Sequence, residues 1–194
     1  MTIGTGWVTA IAAAVMSLLA VLPARAEEDP VPDLEYQLYG ESRAFFDAWL
    51  AACRPGGYCS VLTYNGAGPD AAGVDADYIL RVGSEVRGID YQLTFTGVAA
   101  YVGDTSPITT VIDATRTHVF EPDADLGWYA EPDGGVNDYR LSQSVINLQT
   151  LPQMKRSEQI NVSFLDNRGQ SRVVPFSLVG LTKALTWIEQ NRLP

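Results

Sequence analysis

The sequence predicts a mainly β (α+β) fold: a single antiparallel β-sheet or sandwich domain with two short helices, the last of them C-terminal. Three observations predict it. Ile89, Tyr91, Leu93 and Phe95 alternate with Asp90, Gln92, Thr94 and Thr96, which gives a strand one dry and one wet face. Ile160, Val162 and Phe164 alternate with Asn161 and Ser163, and after Asp166-Asn167-Arg168-Gly169 the chain returns through Val174, Phe176 and Leu178 as a hairpin. Leu181, Ala184, Leu185 and Ile188 then recur at helical spacing and line one face.

The elements follow in chain order. Trp7 to Leu22 is an uncharged, mostly apolar run, shorter than the about 20 residues a membrane helix needs. Ala24 and Ala26 form an A-x-A site directly before Glu27-Glu28-Asp29. Residues 1–26 therefore read as a signal peptide, with retention as an N-terminal anchor as the rival. Residues 27–194 read as one exported domain with no later transmembrane segment.

Residues 27–35 are acidic and contain Pro, and read as a flexible lead. Phe45, Phe46, Trp49 and Leu50 share a helical face, so a short helical turn passing into a strand is expected over 42–53. Cys53 and Cys59 bracket Arg54-Pro55-Gly56-Gly57-Tyr58, a turn sequence in which Pro presets φ and Gly permits positive φ. The flanking residues can pair as a hairpin with the two sulfurs facing across its neck. A structural disulfide is expected, since a redox pair usually reads C-x-x-C. Residues 77–97 read as a hairpin turning near Gly83-Ser84. Pro107 to Ala114 and Thr117 to Phe120 are shorter strands. Leu141, Val145 and Leu148 mark the first helix, with Ser142 near its start and Pro152 after it. Pro175 places its strand at a sheet edge or a bulge.

Composition narrows function. The chain has 194 residues, 46% hydrophobic and 19% charged, with 13 basic and 23 acidic residues and a net charge of −10. Loss of Arg25 with the leader makes it one unit more negative. Nucleic acid is a poor partner, because affinity there comes from Lys and Arg meeting phosphates. One His, His118, and two Cys exclude a multi-His or multi-Cys metal centre. No catalytic residues, cofactor or metal are assigned.

Candidate contact residues lie in the acidic stretch 121–138. Asp123-Ala124-Asp125-Leu126-Gly127 has a D-x-D-x-G pattern that could suit a hard cation or a solvated loop. Trp128 and Tyr129 stand beside it. Asp123, Asp125, Trp128 and Tyr129 are the candidate partner-binding residues; the aromatics could equally plug the end of a sheet. A hydrolase could draw on a carboxylate pair from this loop. The charge favours a basic partner, and an inhibitor of a cationic enzyme such as lysozyme is a variant of that reading.

Phe46-Asp47-Ala48-Trp49 followed by Cys53 and Cys59 resembles the opening of exported bacterial proteins of the invasion-associated locus B type and of a related group of domains of unknown function, with Ala48 standing between Asp and Trp. The C-terminal run Ile160 to Phe164, then Val174-Pro175-Phe176-Ser177-Leu178-Val179-Gly180-Leu181 and the helix through Leu185, is similar to theirs as well. A second Cys pair that members of that type often carry is absent here. The resemblance covers the two ends of the domain. It implies an exported, disulfide-stapled, β-rich, non-enzymatic domain in the periplasm of a Gram-negative bacterium or secreted from it. Its partner would be a protein or an envelope component. It supplies no catalytic residues.

Overall fold

The computed structural model describes residues 29–66, 77–84, 90–98, 100–123, 127–130 and 137–192. The leader, Glu27, Ile89, Asp125, Glu131 and Asp133 lie outside the described residues.

Tight turns drive the chain into antiparallel strands. β1 (Leu34–Leu38) enters β2 (Glu41–Phe46) through Tyr39 and Gly40, at φ 51° and 80°, the left-handed pair that a two-residue hairpin needs. β2 enters β3 (Trp49–Cys53) through Asp47 and Ala48. Asp47 sits at φ 52°, and its N–H donates to Asp33 Oδ2 at 2.6 Å. β3 enters β4 (Cys59–Tyr64) through the stapled turn. Then come β5 (Tyr78–Ser84), β6 (Gln92–Gly97), β7 (Ile108–Ile112), β8 (Arg116–Phe120), β9 (Trp128–Ala130), β10 (Asn137–Leu141), β11 (Gln159–Leu165) and β12 (Ser171–Ser177). Among the described residues they form an eight-stranded sheet in the order β1-β2-β3-β4-β5-β6-β10-β9 and a four-stranded sheet in the order β12-β11-β7-β8. Between β10 and β11 run α1 (Gln143–Val145), a π turn (Ile146–Thr150) and α2 (Leu151–Met154) as one helical segment; α3 (Leu181–Asn191) ends the chain.

Both sheets are antiparallel throughout, with the helices subordinate to them, so the mainly β class holds. The second hairpin, the edge position of Pro175 and the C-terminal helix are as the pattern predicts. Four expectations are corrected. Residues 42–53 contain no helical turn but a hairpin with apolar residues on both faces: Phe46 and Trp49 point inward, while Phe45 pairs with Leu50 on the other side. The acidic lead is already strand from Leu34. The 77–97 hairpin does not turn at Gly83-Ser84, because both residues still pair with β4.

The fourth concerns the first helix. Leu141 closes β10, and Leu148 is 78% exposed, so the expected stripe is not the buried one. Ile146, Thr150, Leu151 and Met154 face inward instead. Pro152 does not stop the helix. Its ring would press on the carbonyl four residues back and it has no N–H to donate. The turn before it widens, with Leu151 N–H donating to the Ile146 carbonyl five residues back, and the helix continues to Met154.

One core runs through both sheets and α3. Phe95 stands at its centre, 5.4 Å from the Phe164 ring, 5.6 Å from Tyr78 and 6.3 Å from both Tyr139 and Phe176. Such ring pairs add about 0.5–1.5 kcal/mol each beyond the area they bury. At the other end of the large sheet, α3 packs on β2, β3 and β4 through Leu181, Ala184, Leu185, Trp187 and Ile188. Trp49 ties the layers together by donating its indole N–H to the Ser177 carbonyl at 3.1 Å. The Tyr91 hydroxyl donates to Glu189 of α3. Burial first, and the Glu189 carboxylate second, push that phenol well above its ordinary value. No helix among the described residues is long and apolar enough to cross a membrane.

Candidate functional site

The inner face of the large sheet is filled by the core. Strand alternation sends every second side chain of β5, β6 and β10 to the opposite face. Register then places residues 81, 94 and 140 in one row: Arg81 pairs with Thr94, and Thr94 pairs with Arg140. Two guanidinium side chains thus leave the same face on either side of one hydroxyl. Their strands are two steps apart, about 9–10 Å. Neighbouring rows carry the Gly83–Gln92 and Thr96–Asp138 pairs. Thr94 and Thr96, expected on the wet face, are short residues lying low among longer neighbours and are buried there.

These positions line a hollow of about 360 Å³. Tyr58 closes one side, arriving from the stapled turn and lying over Gly83. A Cβ at 83 would collide with the Tyr58 hydroxyl, which is the close approach that a glycine inside a strand signals. Asp138 Oδ1 accepts from Thr96 Oγ1 at 2.5 Å. Gln92 Nε2 donates to the Leu141 carbonyl at 2.8 Å, which ties β6 to the end of β10.

The stapled turn is the support for Tyr58. Cys53 and Cys59 are bonded and directly opposite, with Cα atoms 4.1 Å apart. Arg54 N–H donates to the Tyr58 carbonyl at 2.9 Å, so the cysteines occupy the adjacent non-hydrogen-bonded pair, where antiparallel strands come closest. Glu41 braces the turn from β2, accepting from Arg54 Nε at 2.9 Å and from Arg43 at 2.6 Å. The Arg43 hydrogen bond, helped by Arg54 and only partly opposed by desolvation, holds the Glu41 carboxyl below its usual range. The Arg54 guanidinium also lies 5.9 Å from the centre of the Tyr58 ring.

The candidate residues named from sequence are not gathered in this hollow. Trp128 is core: it is 6% exposed, its indole N–H donates to the Ser106 carbonyl at 2.9 Å, and its ring meets Tyr139 edge-on at 5.3 Å. Tyr129, the next residue along β9, points the other way and accepts from Arg140 Nη1 at 3.5 Å, beside the hollow. Asp123 is exposed, and its carbonyl accepts from Gly127 N–H at 2.9 Å. Asp125 lies outside the described residues. His118 is on β8 of the small sheet, with Gln153 Oε1 3.1 Å from its Nε2. Among the described residues no three His, Cys, Asp or Glu side chains gather as a metal site.

Sequence reading therefore missed Arg81, Thr94 and Arg140. The wet face of β6 was visible, and Gly83 inside a strand was a further signal, but only register joins the three strands. Chemically, the hollow offers guanidinium, carboxylate, amide and hydroxyl groups on a rigid sheet, a set suited to holding a polar ligand. No family model, curated protein or solved structure matches the chain.

Proposed function

We propose that this chain is an exported, non-enzymatic binding domain of the Gram-negative envelope, periplasmic or secreted, of the invasion-associated locus B type, and that it makes contact through the outer face of its large sheet. The observation that carries the reading is the hollow over β5, β6 and β10: a pocket of ligand-holding groups on a rigid sheet, with one wall held by a disulfide. That bond suits an oxidising compartment. The A-x-A site supports cleavage before Glu27. The acidic net charge steers basic partners toward the surface at long range, while the hollow sets what is held at contact.

The test uses the full chain produced in a Gram-negative host. The exported protein should begin Glu-Glu-Asp-Pro and show no alkylatable thiol. Immobilised and exposed to envelope extract, it should retain a component that a Tyr58→Ala variant of equal stability does not retain. Two alkylatable thiols with Met1 intact overturn the export. Equal retention by both proteins overturns the contact surface.

A further inference from the structure

The geometry points to a second site: a cavity between the residues that lead into β6 and the helical segment before β11, suited to a small carboxylate with an apolar body. It stands apart from the sheet hollow, with which it shares only Asp90 among the described residues. It goes beyond the contact surface proposed above and does not depend on it.

The floor of this cavity has its polar groups spent inside the protein. Tyr91 and Leu151 line it and are only 6% and 4% exposed. Asn147, carried by the π turn, accepts the Tyr91 N–H on Oδ1 at 3.0 Å. Its Nδ2 donates to the carbonyls of Tyr91 and Gln143 at 3.2 and 3.0 Å. The Tyr91 hydroxyl donates to Glu189, which is not in the lining. The backbone and phenol of Tyr91 are thus fixed and satisfied, and the floor offers a ligand the apolar surface of a ring and a leucine. Pro152, which has no N–H, adds a third apolar wall.

The rim is charged. Lys155-Arg156 is the one place in the sequence where two basic residues adjoin. They directly follow α2, and both are exposed and line the cavity. Lys155 Nζ lies 5.9 Å from the centre of the Tyr91 ring, which sets one positive charge at the boundary between floor and rim. Arg43, Arg54, Arg172 and Lys183 are paired with carboxylates, but neither Lys155 nor Arg156 forms an ion pair among the described residues. Water solvates exposed cations well, so the charges alone would not make a site; the apolar floor beneath them does. A ligand that uses both brings an apolar body to Tyr91, Leu151 and Pro152 and an anionic end to Lys155 and Arg156. Asp90 also lines the cavity and repels a second negative charge, which favours a carboxylate over a dianion. The volume, about 420 Å³, is in the range of small-ligand sites.

The experiment is an amide-resolved NMR titration of the full chain with acetate, butyrate, hexanoate and the neutral hexanamide. Hexanoate should give saturable shifts centred on Tyr91, Asn147, Leu151 and Lys155. Affinity should rise about fourfold for each methylene buried between acetate and hexanoate, and hexanamide should bind more weakly than hexanoate. Lys155→Gln with Arg156→Gln changes two exposed side chains and should weaken hexanoate about tenfold while leaving the rest of the spectrum in place. Arg168→Gln, in the exposed turn between β11 and β12, should not change it, and neither should Tyr58→Ala. Equal affinity for acetate and hexanoate would show that the floor is not used. Equal affinity for hexanoate and hexanamide, or undiminished binding by the double Gln variant, would show that the cations are not used. Any of these overturns the site, as would shifts scattered over exposed lysines and arginines. Hexanoate binding without Tyr58-dependent capture of an envelope component would refute the sheet-face contact and leave this site standing; capture without hexanoate binding would do the reverse.

Discussion

Two hairpins of the same size close in two different ways. The β3–β4 hairpin and the β11–β12 hairpin each end on strand residues six apart, Cys53 with Cys59 and Leu165 with Ser171. In each, the first loop residue donates its N–H to the carbonyl of the last, Arg54 to Tyr58 and Asp166 to Gln170, both at 2.9 Å. The first hairpin is then locked by a covalent bond. The second is locked by one carboxylate. Asp166 Oδ1 accepts from the N–H groups of Arg168 and Gln170 at 2.9 and 2.8 Å, and its Oδ2 accepts from Arg172 Nε at 2.9 Å. Desolvation pushes the Asp166 carboxyl up, but the Gln170 N–H, the Arg172 guanidinium and the Arg168 N–H prevail and hold it below the usual range. One lock answers to reductant and the other to protons. Only the covalently locked turn delivers a side chain, Tyr58, to the candidate site.

The largest effect is expected where the two halves join. Gly180 follows β12, starts α3 at φ 92°, and faces the Phe46 carbonyl of β2 so closely that a Cβ would collide with it. Gly180→Ala adds left-handed strain to a backbone clash that no side-chain motion can relieve, and should cost about 3 kcal/mol or more. Chemical denaturation at neutral pH would read it directly. A loss under about 1 kcal/mol would show that the α3 junction yields, and that the two hairpins are less tightly coupled than their contacts imply.

The same contrast explains what was legible in the sequence. β11, β12 and α3 each bury one face and wet the other, so period-2 and helical patterns stand out. β2 and β3 carry large apolar residues on both faces, Phe45 and Leu50 outside with Phe46 and Trp49 inside, and that doubling imitates a helical stripe. β10 offers only Tyr139 and Leu141 as buried apolar residues, too few to announce a strand. The cysteine pair was legible because the turn chemistry between the two residues is local. The hollow was not, because Arg81, Thr94 and Arg140 become neighbours only through the pairing of β5, β6 and β10. Trp128 could not be settled by pattern either; the carbonyl that satisfies its indole belongs to Ser106, in a distant loop.

Removing the covalent lock should rank second. Cys53→Ser with Cys59→Ser frees a short loop in the unfolded chain, worth about 2 kcal/mol. The sequence alone suggests that partner binding would be left intact. The position of Tyr58 over Gly83 argues otherwise: a looser turn releases the wall of the hollow, so retention of the envelope component should fall along with stability. Measuring both on the same variant sharpens the comparison. Stability lost with retention unchanged would mean that Glu41 and Arg54 alone hold the wall.

The smallest effect should belong to the carboxylate lock, and pH should identify it. Asp166→Asn keeps an oxygen for the Arg168 and Gln170 N–H groups, but it removes the charge and replaces the oxygen that accepts from Arg172 with an NH2 donor. A carboxyl held below its unfolded value of about 3.9 stabilises the fold while ionised. That contribution is fully present above the unfolded value and disappears as pH falls through the lower folded one. The stability gap between the natural chain and Asp166→Asn should therefore be flat near neutrality and shrink from about pH 4 downward. Glu41 is shifted in the same direction, but it is common to both proteins and cancels in the difference. The gap for the double Cys variant should stay level across the same range, because no proton enters its lock. Urea melts of the three proteins at matched pH would show one converging pair and one parallel pair. Two parallel pairs would mean that the Asp166 turn is held by its backbone hydrogen bonds and not by its charge.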